Sequence, residues 1–576
     1  MKEFLNNLKT NWKFVKDQKW KFIKYLIFNI ITIVIGIVVP ILSAKMIIAL
    51  TSSLLKQLFL MALTLFFIEI LRNITFYFLS YYSQIIYRET FIKIQTELGR
   101  EILKIENKCI DNNSSGLFIQ RMTNDTSRMA DVFNILSEYL ANIIRDIGIF
   151  IAIFIINKVV FVYMIIAVII LYIIDRKRVK KRNENDKIFR KKNEKISGFI
   201  GEIVRGIRDI KMLNAENSFM GKLESEVKDL NQEKYKMSTV DRNYVLIRNS
   251  INDIVDLFLI ILLIYLIKNN LLLAANALVI YNYSNRVNSI VYYIGKILEQ
   301  VQDYNLSANR VFSILKNDEF KKEKFGTKHL NKINGDFEFK NVDFSYANEK
   351  VLNNINFKVN ANSTVAFVGK SGSGKTTIFN LLCKMYDVDS GEILIDNINI
   401  NKLDKDSIRG NITIINQQPY IFNMSIKDNF KLVKENVTDK EIEDACTLAC
   451  LDEFIDSLPD KYDTIIGEGG INLSGGQKQR MAIARALIQK TEIILFDEAT
   501  SALDNETQAN IQKAIDNMKK EYTILIIAHR LSTIINSDKI LFLNNGIIED
   551  EGTHDELIKK NKNYKKLYEA ELKKHD

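Results

Sequence analysis

The chain predicts two folds in tandem: an α-helical membrane domain of about six transmembrane helices, followed by an α/β P-loop domain with a helical subdomain. Three observations carry that expectation. A chain of 576 residues is longer than one compact domain. Its mean hydropathy of −0.03 averages an apolar first half with a polar second half. And Gly369 to Thr377, read as GKSGSGKTT, fits G-x-x-x-x-G-K-[ST] directly after the apolar run Val365 to Val368. The expected boundaries are 1–315 for the membrane domain with long cytosolic loops, 316–333 for a lysine-rich linker containing Gly326, and 334–576 for the P-loop domain.

The membrane half is read from six apolar runs: Tyr25 to Leu50, Leu58 to Tyr82, Ile135 to Ile156, Val159 to Ile174, Val245 to Ile267 and Leu271 to Ile294. Each is about as long as a bilayer span of roughly 20 residues requires, the fourth being the shortest. Consecutive runs of that length are improbable as the core of a soluble protein. Lysines 9, 13, 16, 19, 21 and 24 precede the first run and Arg176 to Arg182 follow the fourth, whereas the turns after runs one, three and five hold little beyond Lys56, Lys158 and Lys268. The positive-inside rule then places both termini in the cytosol. The N-terminal lysines alternate with Trp12, Phe14, Trp20 and Phe22, as an interfacial amphipathic helix arranges them. The first run is too long for a signal peptide. That charge asymmetry explains most of the formal net charge of +10, and no aromatic-basic module for nucleic acid is evident. Cys109, Cys383, Cys446 and Cys450 all fall on the cytosolic side, where reduced thiols are expected.

In the second half the run before Gly369 reads as a buried strand and Ile378 to Met385 as a helix, so the loop between them is a phosphate cradle. Gly369, Gly372 and Gly374, with Ser371, let backbone N–H groups face phosphate. Lys375 neutralises it, and Thr376, beside Thr377, offers a hydroxyl to magnesium. Ile493 to Phe496 reads as a second buried strand ending in Asp497 and Glu498, one acid to hold magnesium and the next to polarise water. The expected cofactors are therefore ATP and magnesium.

These strings, together with LSGGQKQR from Leu473, SALD at Ser501 to Asp504 and the histidine of IIAHR, resemble the nucleotide-binding domain of ABC transporters. The fused membrane half makes the chain similar to a bacterial-like half-transporter of the exporter type. The resemblance implies that Tyr346 stacks on adenine and that Gln417, with Gln418 as its neighbour, contacts magnesium and senses a coupling helix. It further implies that Glu498 is the general base, His529 the γ-phosphate contact and Asp497 a magnesium ligand. Ser474, Gly475, Gly476 and Gln477 would contact the γ-phosphate held by a second subunit, so that two chains sandwich two ATP molecules. A homodimer is the economical assembly, and a heterodimer with another half-transporter is the alternative. Coupling helices are expected near Glu106 to Asn112 and Asn214 to Phe219. One departure stands out: where the family usually has GERG, Gly467 to Gly470 reads GEGG, so Gly469 replaces an arginine.

Ionisable residues inside the runs are candidates for lining the transport path or, equally, for polar contacts that hold the helices together. They are Glu69 and Arg72, Arg145 and Asp146, Asp253 and Asp256, and Arg286 with its asparagine and tyrosine neighbours. The expected function is ATP-hydrolysis-driven export of an amphipathic drug, peptide or lipid-like substrate by alternating access, from a multi-pass protein of the cell membrane surrounded by membrane lipid. The competing expectations are an importer of metal-chelate compounds with the same layout, and an ATP-gated channel or sensor. No cysteine-protease domain precedes the first run, which disfavours a peptide-processing exporter.

Overall fold

The computed structural model describes residues 2–51, 54–284, 286–346, 349–467, 470–498, 508, 521–527 and 534–572. The chain divides into two compact units, Met1–Leu103 with Ser115–Glu319, and Lys104–Ser114 with Phe320–Asp576.

The first unit is helical. Its helices are α1 (Lys2–Val15), α2 (Lys19–Thr51) and α3 (Leu55–Ile102), then α5 (Ser115–Gln120), α6 (Thr126–Ile156), α7 (Lys158–Arg205), α8 (Ile207–Met212), α9 (Glu216–Lys268), α10 (Ala274–Tyr283) and α11 (Arg286–Leu315). The short α4 (Asn107–Asp111) belongs to the second unit. Among the described residues, five helical stretches are long and apolar enough to cross a membrane: Lys2–Ile47, Leu55–Ile102, Ser115–Ile156, Lys158–Arg205 and Glu216–Lys268. The sixth expected run, Leu271 to Ile294, covers α10 and the start of α11, between which residue 285 lies outside the described residues. Tyr281, Asn282, Tyr283, Arg286 and Asn288 dilute its apolar character there.

The helices turn where the sequence caps them. Asn157 leaves helical geometry, and its side chain accepts from the N–H groups of Val159 at 3.0 Å and Val160 at 3.2 Å, so the third span ends and the fourth begins within one residue. α2 packs along α3, α7 along α9, and α6 along α11. The apolar core of the unit gathers Ile149, Ile153, Met164, Leu171, Leu259 and Leu263. The stretch expected to hold the second coupling helix, Asn214 to Phe219, falls on a turn and the first residues of α9. A short helix occupies Ile207–Met212, because Gly206 ends α7 and Asn214, with φ of 49°, closes the turn before α9.

The second unit layers two sheets. β1 (Phe337–Tyr346), β2 (Glu349–Val359), β4 (Ser390–Ile395) and β5 (Ile398–Asn399) form an antiparallel sheet of order β2-β1-β4-β5. The second sheet holds β3 (Thr364–Val368), β6 (Ile412–Ile415), β9 (Ile493–Asp497), β10 (Thr523–Ile527), β11 (Lys539–Asn544) and β12 (Ile547–Gly552) in the order β12-β11-β3-β10-β9-β6, parallel except for the β12 edge. Every residue of β3, β9 and β10 is buried, which is why these strands read as unbroken apolar runs. α12 (Lys375–Leu382) and the antiparallel sheet cover one face, with Phe337, Phe357, Phe367 and Phe379 between them. The other face carries the helical part, including α15 (Asp439–Leu448) and α17 (Gly475–Gln489), packed through Cys446, Met481, Ile483 and Phe496. The unit's shorter elements include α13 (Lys405–Arg409), α14 (Ile426–Lys431), α16 (Asp452–Asp456) and the paired strands β7 (Met424–Ser425) and β8 (Ile465–Ile466). Cys446 is thus a core residue, and the buried thiol is pushed up to about 12.

Residues 320–333 pack tightly within this unit. Phe320 and Ile333 are buried. Glu323 takes a bidentate Arg409 guanidinium at 2.6 and 3.0 Å. Gly326 runs so close to Lys402 that a Cβ there would sit 2.0 Å from its carbonyl carbon, which accounts for the glycine.

Candidate nucleotide-binding site

β3 delivers the chain to the carboxyl edge of the parallel sheet, and α12 leaves from it. Between them, Gly374 adopts φ of 101°, and a Cβ there would lie 2.5 Å from Leu352 Cδ2, so only glycine fits. The loop curls around Lys375, whose Nζ donates to the carbonyls of Gly369 and Lys370, each at 2.9 Å. Burial holds this ammonium below the usual lysine range, against the opposing charges of Glu498 and Asp497. Ser371, Gly372 and Thr376 are exposed at the loop's surface, Thr377 is buried, and the buried Ser373 hydroxyl finds no partner among the described residues. A cradle of free N–H groups at a helix start, a lysine already in place and an orphaned hydroxyl fit the phosphates of a nucleotide.

The parallel register brings the acids to the same edge. Thr376 Oγ1 donates to Asp497 Oδ1 at 3.3 Å, so two hard oxygen donors meet beside the cradle, a pair that suits magnesium. Glu498 holds φ of 52° without being glycine, a backbone conformation that costs about 1–3 kcal/mol. Its N–H donates to the Ile527 carbonyl at 2.9 Å. Its carboxylate accepts from Gln417 Nε2 at 2.6 Å, so of the two neighbouring glutamines it is Gln417 that reaches this acid.

Sequence reasoning missed the supports of this contact. Gln479, buried on α17, donates to the Gln417 carbonyl at 3.1 Å. Arg485, two turns on, donates to the Tyr420 carbonyl at 2.9 Å and to Asn429 Oδ1. Gln479 lies within the LSGGQKQR string, which could have singled it out, whereas nothing local in the sequence marks Arg485.

At the start of α17, Ser474 and Gln477 form a reciprocal capping box. The serine Oγ accepts from the Gln477 N–H at 3.2 Å, and Gln477 Oε1 accepts from the Ser474 N–H at 2.8 Å. Ser474 and Gly475 are exposed, with Gly476 half-buried beside them. Tyr346 ends β1 with its ring edge-on to Phe344 at 4.8 Å and to Tyr386 at 5.2 Å. The Tyr386 hydroxyl in turn donates to Asp111 of α4 at 2.5 Å, so the tyrosine expected to stack on adenine lies one ring away from the first short loop helix. His529, Asp504 and Gly469 lie outside the described residues.

The helical unit holds a second polar assembly. Asp146 is fully buried in α6, with Arg145 Nε at 3.6 Å and Arg286 Nη1 at 3.7 Å, and it accepts from the Ser289 hydroxyl. Two guanidinium groups thus share one carboxylate. Nearby, Asn288 donates to Asn252 at 2.6 Å, and Asn252 to Asp256 at 3.0 Å. Among the described residues Glu69 and Arg72 pair only with each other, on an exposed helix face, at 2.5 Å.

Comparison with known proteins agrees with this arrangement over nearly the whole length. Residues 352–501 match the ABC transporter family, and residues 22–291 match the ABC transporter transmembrane region. The chain is 33% identical over 522 residues to the ATP-dependent lipid A-core flippase of Haemophilus influenzae, covering 87% of this chain and 86% of that one. It is 31% identical over 526 residues to the flippase of the same description from Salmonella typhimurium, covering 89% and 88%. In fold it superposes on the solved structure of a bacterial Atm1-family ABC exporter with ATP bound, with a TM-score of 0.82 at 23% identity, covering 96% of this chain and 98% of that one. With a phosphate cradle, paired acids and signature helix in one unit and a multi-pass helical membrane domain in the other, the chain belongs to the exporter-type ABC transporters, ATPases coupled to transport across a membrane.

Proposed function

We propose that the chain works as a homodimer that exports a lipid-like amphiphile with an anionic head, one Mg-ATP being held between each phosphate loop and the other copy's signature helix. The contact that carries the catalytic half of the reading is Gln417 Nε2 to Glu498 Oε2 at 2.6 Å, beside the Lys375 cradle. Lys375 and the N–H groups of residues 369–377 hold the phosphates. Thr376 and Asp497 supply the oxygens for magnesium, with Gln417 completing the set. Glu498 takes the proton of the attacking water, and His529 orients it. Tyr346 bears the adenine. The capping box uses the N–H groups of Ser474 and Gln477 and leaves those of Gly475 and Gly476 between them at the helix start, where an anion from a second copy would be met.

The capping box leaves the Ser474 hydroxyl hydrogen free to donate, so closure on a second copy costs no existing bond. α8 and the turn after it expose Met212 and Leu213, 85% and 76% accessible, on a loop that the basic flanks place in the cytosol with both termini. Domain limits of 1–315 and 334–576, joined by 316–333, then separate the transport path from the motor.

The cargo reading rests on Asp146. Its two guanidinium neighbours leave an excess of positive charge among spanning helices, where an unpaired charge is expensive unless a ligand or water meets it. The relatives described as lipid A-core flippases point to a lipid-like substrate of the same kind.

Proteoliposomes containing the purified chain alone and a headgroup-labelled anionic lipid test the proposal. ATP-dependent movement of label out of the leaflet that faces the ATP-binding domains is expected. Movement in the opposite direction, or ATP turnover without lipid movement, would overturn the export reading, and activity only with a different second subunit would overturn the homodimer.

A further inference from the structure

The N-terminal segment carries a charge pattern that transport does not use. Between Lys2 and Lys24 it holds seven lysines and two acids. Both acids are engaged: Glu3 accepts from Asn309 Nδ2 at 2.8 Å, and Asp17 pairs with Lys93 at 2.6 Å. Among the described residues no ion pair reaches any of the seven lysines, and all seven are exposed.

Their placement is directional. α1 buries the stripe Phe4, Asn7, Asn11 and Val15, held to the rest of the unit by Asn7 Nδ2 to Asn309 Oδ1 at 3.0 Å and Asn11 Nδ2 to the Met129 carbonyl at 2.8 Å. At about 100° per residue, Lys2, Lys9 and Lys13 fall within about 40° of one another and about 180° from that stripe. Trp12 closes the bend against Phe22 at 5.2 Å and Phe133 at 5.5 Å, so the segment is a fixed element of the fold and its lysines are preorganised.

α2 continues the pattern into the membrane. Trp20, Ile23, Ile27, Ile30 and Val34 form one exposed apolar stripe at i, i+3 and i+4 spacing, 69%, 41%, 50%, 58% and 52% accessible. Lys19 and Lys24 stand at the cytosolic end of that stripe, Lys19 Nζ lying 5.9 Å from the Trp20 ring centre. An acyl chain laid along the stripe brings its headgroup to these ammonium groups.

We propose that α1 and the first turns of α2 form a binding surface for anionic phospholipids of the surrounding leaflet. The phosphodiester lies among Lys9, Lys13, Lys16 and Lys19, Trp20 sits at headgroup depth, and the acyl chain runs along Ile23 to Val34. Trp rings prefer that depth, and clustered lysines beside a span attract acidic lipid. The surface is distinct from the Asp146 cluster and binds lipid that is not cargo.

The test uses the full chain in nanodiscs without nucleotide, probed with spin-labelled phosphatidylglycerol and phosphatidylcholine. The parental chain is expected to immobilise phosphatidylglycerol at least about threefold more than phosphatidylcholine, and 1 M salt should reduce the difference. The combined Lys9→Gln, Lys13→Gln, Lys16→Gln and Lys19→Gln variant should bring the ratio near one, while the same four positions changed to Arg should keep it. A second reading leaves the lysines untouched. In a Trp12→Phe background Trp20 is the remaining tryptophan, and brominated phosphatidylglycerol should quench it more than brominated phosphatidylcholine at equal mole fraction. Equal quenching by the two lipids, or a Gln variant that keeps the parental ratio, overturns the proposal.

Discussion

The helical unit and the ATP-binding unit satisfy their backbone polar groups by opposite routes. In the first, every spanning segment closes its hydrogen bonds within one helix, so large apolar side chains such as Phe66, Phe67 and Phe76 remain 59%, 60% and 65% exposed and lipid must cover them. In the second, the bonds run between strands distant in sequence, as from β9 to β10 and β10 to β3, and the apolar side chains are sealed inside. Polar groups follow the same division. Asp146 is buried because two arginines and a serine surround it, whereas the acids of the ATP-binding unit gather at one sheet edge, where a ligand can reach them. The helical unit tolerates change on its outer faces and is sensitive at a few buried polar points; the ATP-binding unit is sensitive along its whole strand edge.

The largest effect that would break this comparison is chemical. Glu498→Gln should lower ATP turnover on the order of a hundredfold or more while nucleotide still binds, since the amide keeps the Gln417 contact but accepts no proton. Steady-state hydrolysis beside equilibrium binding measures both, and parental turnover would remove Glu498 from catalysis. Covalently linked dimers sharpen the same point. Ser474→Arg in one copy and Lys375→Ala in the other damage one composite site and spare the second; both changes in one copy damage both sites. Residual hydrolysis should be higher in the first arrangement, and equal activity of both arrangements and of the unmutated linked dimer would refute the sandwich.

Lys375→Ala alone should weaken ATP binding by about tenfold or more, because the buried ammonium is lost while the N–H cradle stays. A smaller loss is expected from Arg485→Ala. Removing its bonds to Tyr420 and Asn429 should cost about 1–3 kcal/mol in thermal unfolding of the ATP-binding unit and reduce turnover through a loosened Gln417 loop. In the helical unit, Asp146→Leu should cost about 1–2 kcal/mol, and Arg286→Leu added to it should recover part of the loss, since one unpaired guanidinium is removed. Additive losses would show that the two residues do not interact.

Much of this molecule is written locally. Apolar runs of bilayer length, turn residues such as Asn157, and the strand-loop-helix text around Gly369 to Thr377 are each contained in a short window of chain, because a helix closes its own hydrogen bonds and a phosphate loop is built from consecutive N–H groups. The same locality made Asp497 and Glu498 legible at the end of a continuous apolar strand. The sixth run, Leu271 to Ile294, reads in the same way although its polar residues dilute it, whereas the short helix at Ile207–Met212, bounded by Gly206 and the turn at Asn214, is not read from the sequence.

Other features arise where residues far apart in sequence meet. That Gln417 rather than Gln418 touches Glu498, 81 positions away, follows from the parallel pairing of β6 with β9, and adjacent residues beyond a strand diverge in direction. Gln479, Arg485 and the path from Tyr346 through Tyr386 to Asp111 join segments that no single window contains. Asp146 reads in the sequence as one half of a pair with Arg145, yet packing of α6 against α11 adds Arg286 and Ser289 and turns a pair into a positively biased cluster. Hydropathy and backbone geometry are properties of neighbours in the chain, so they survive in the text; the balance of charge around a buried atom depends on which helices share a face, and that is settled only when they pack.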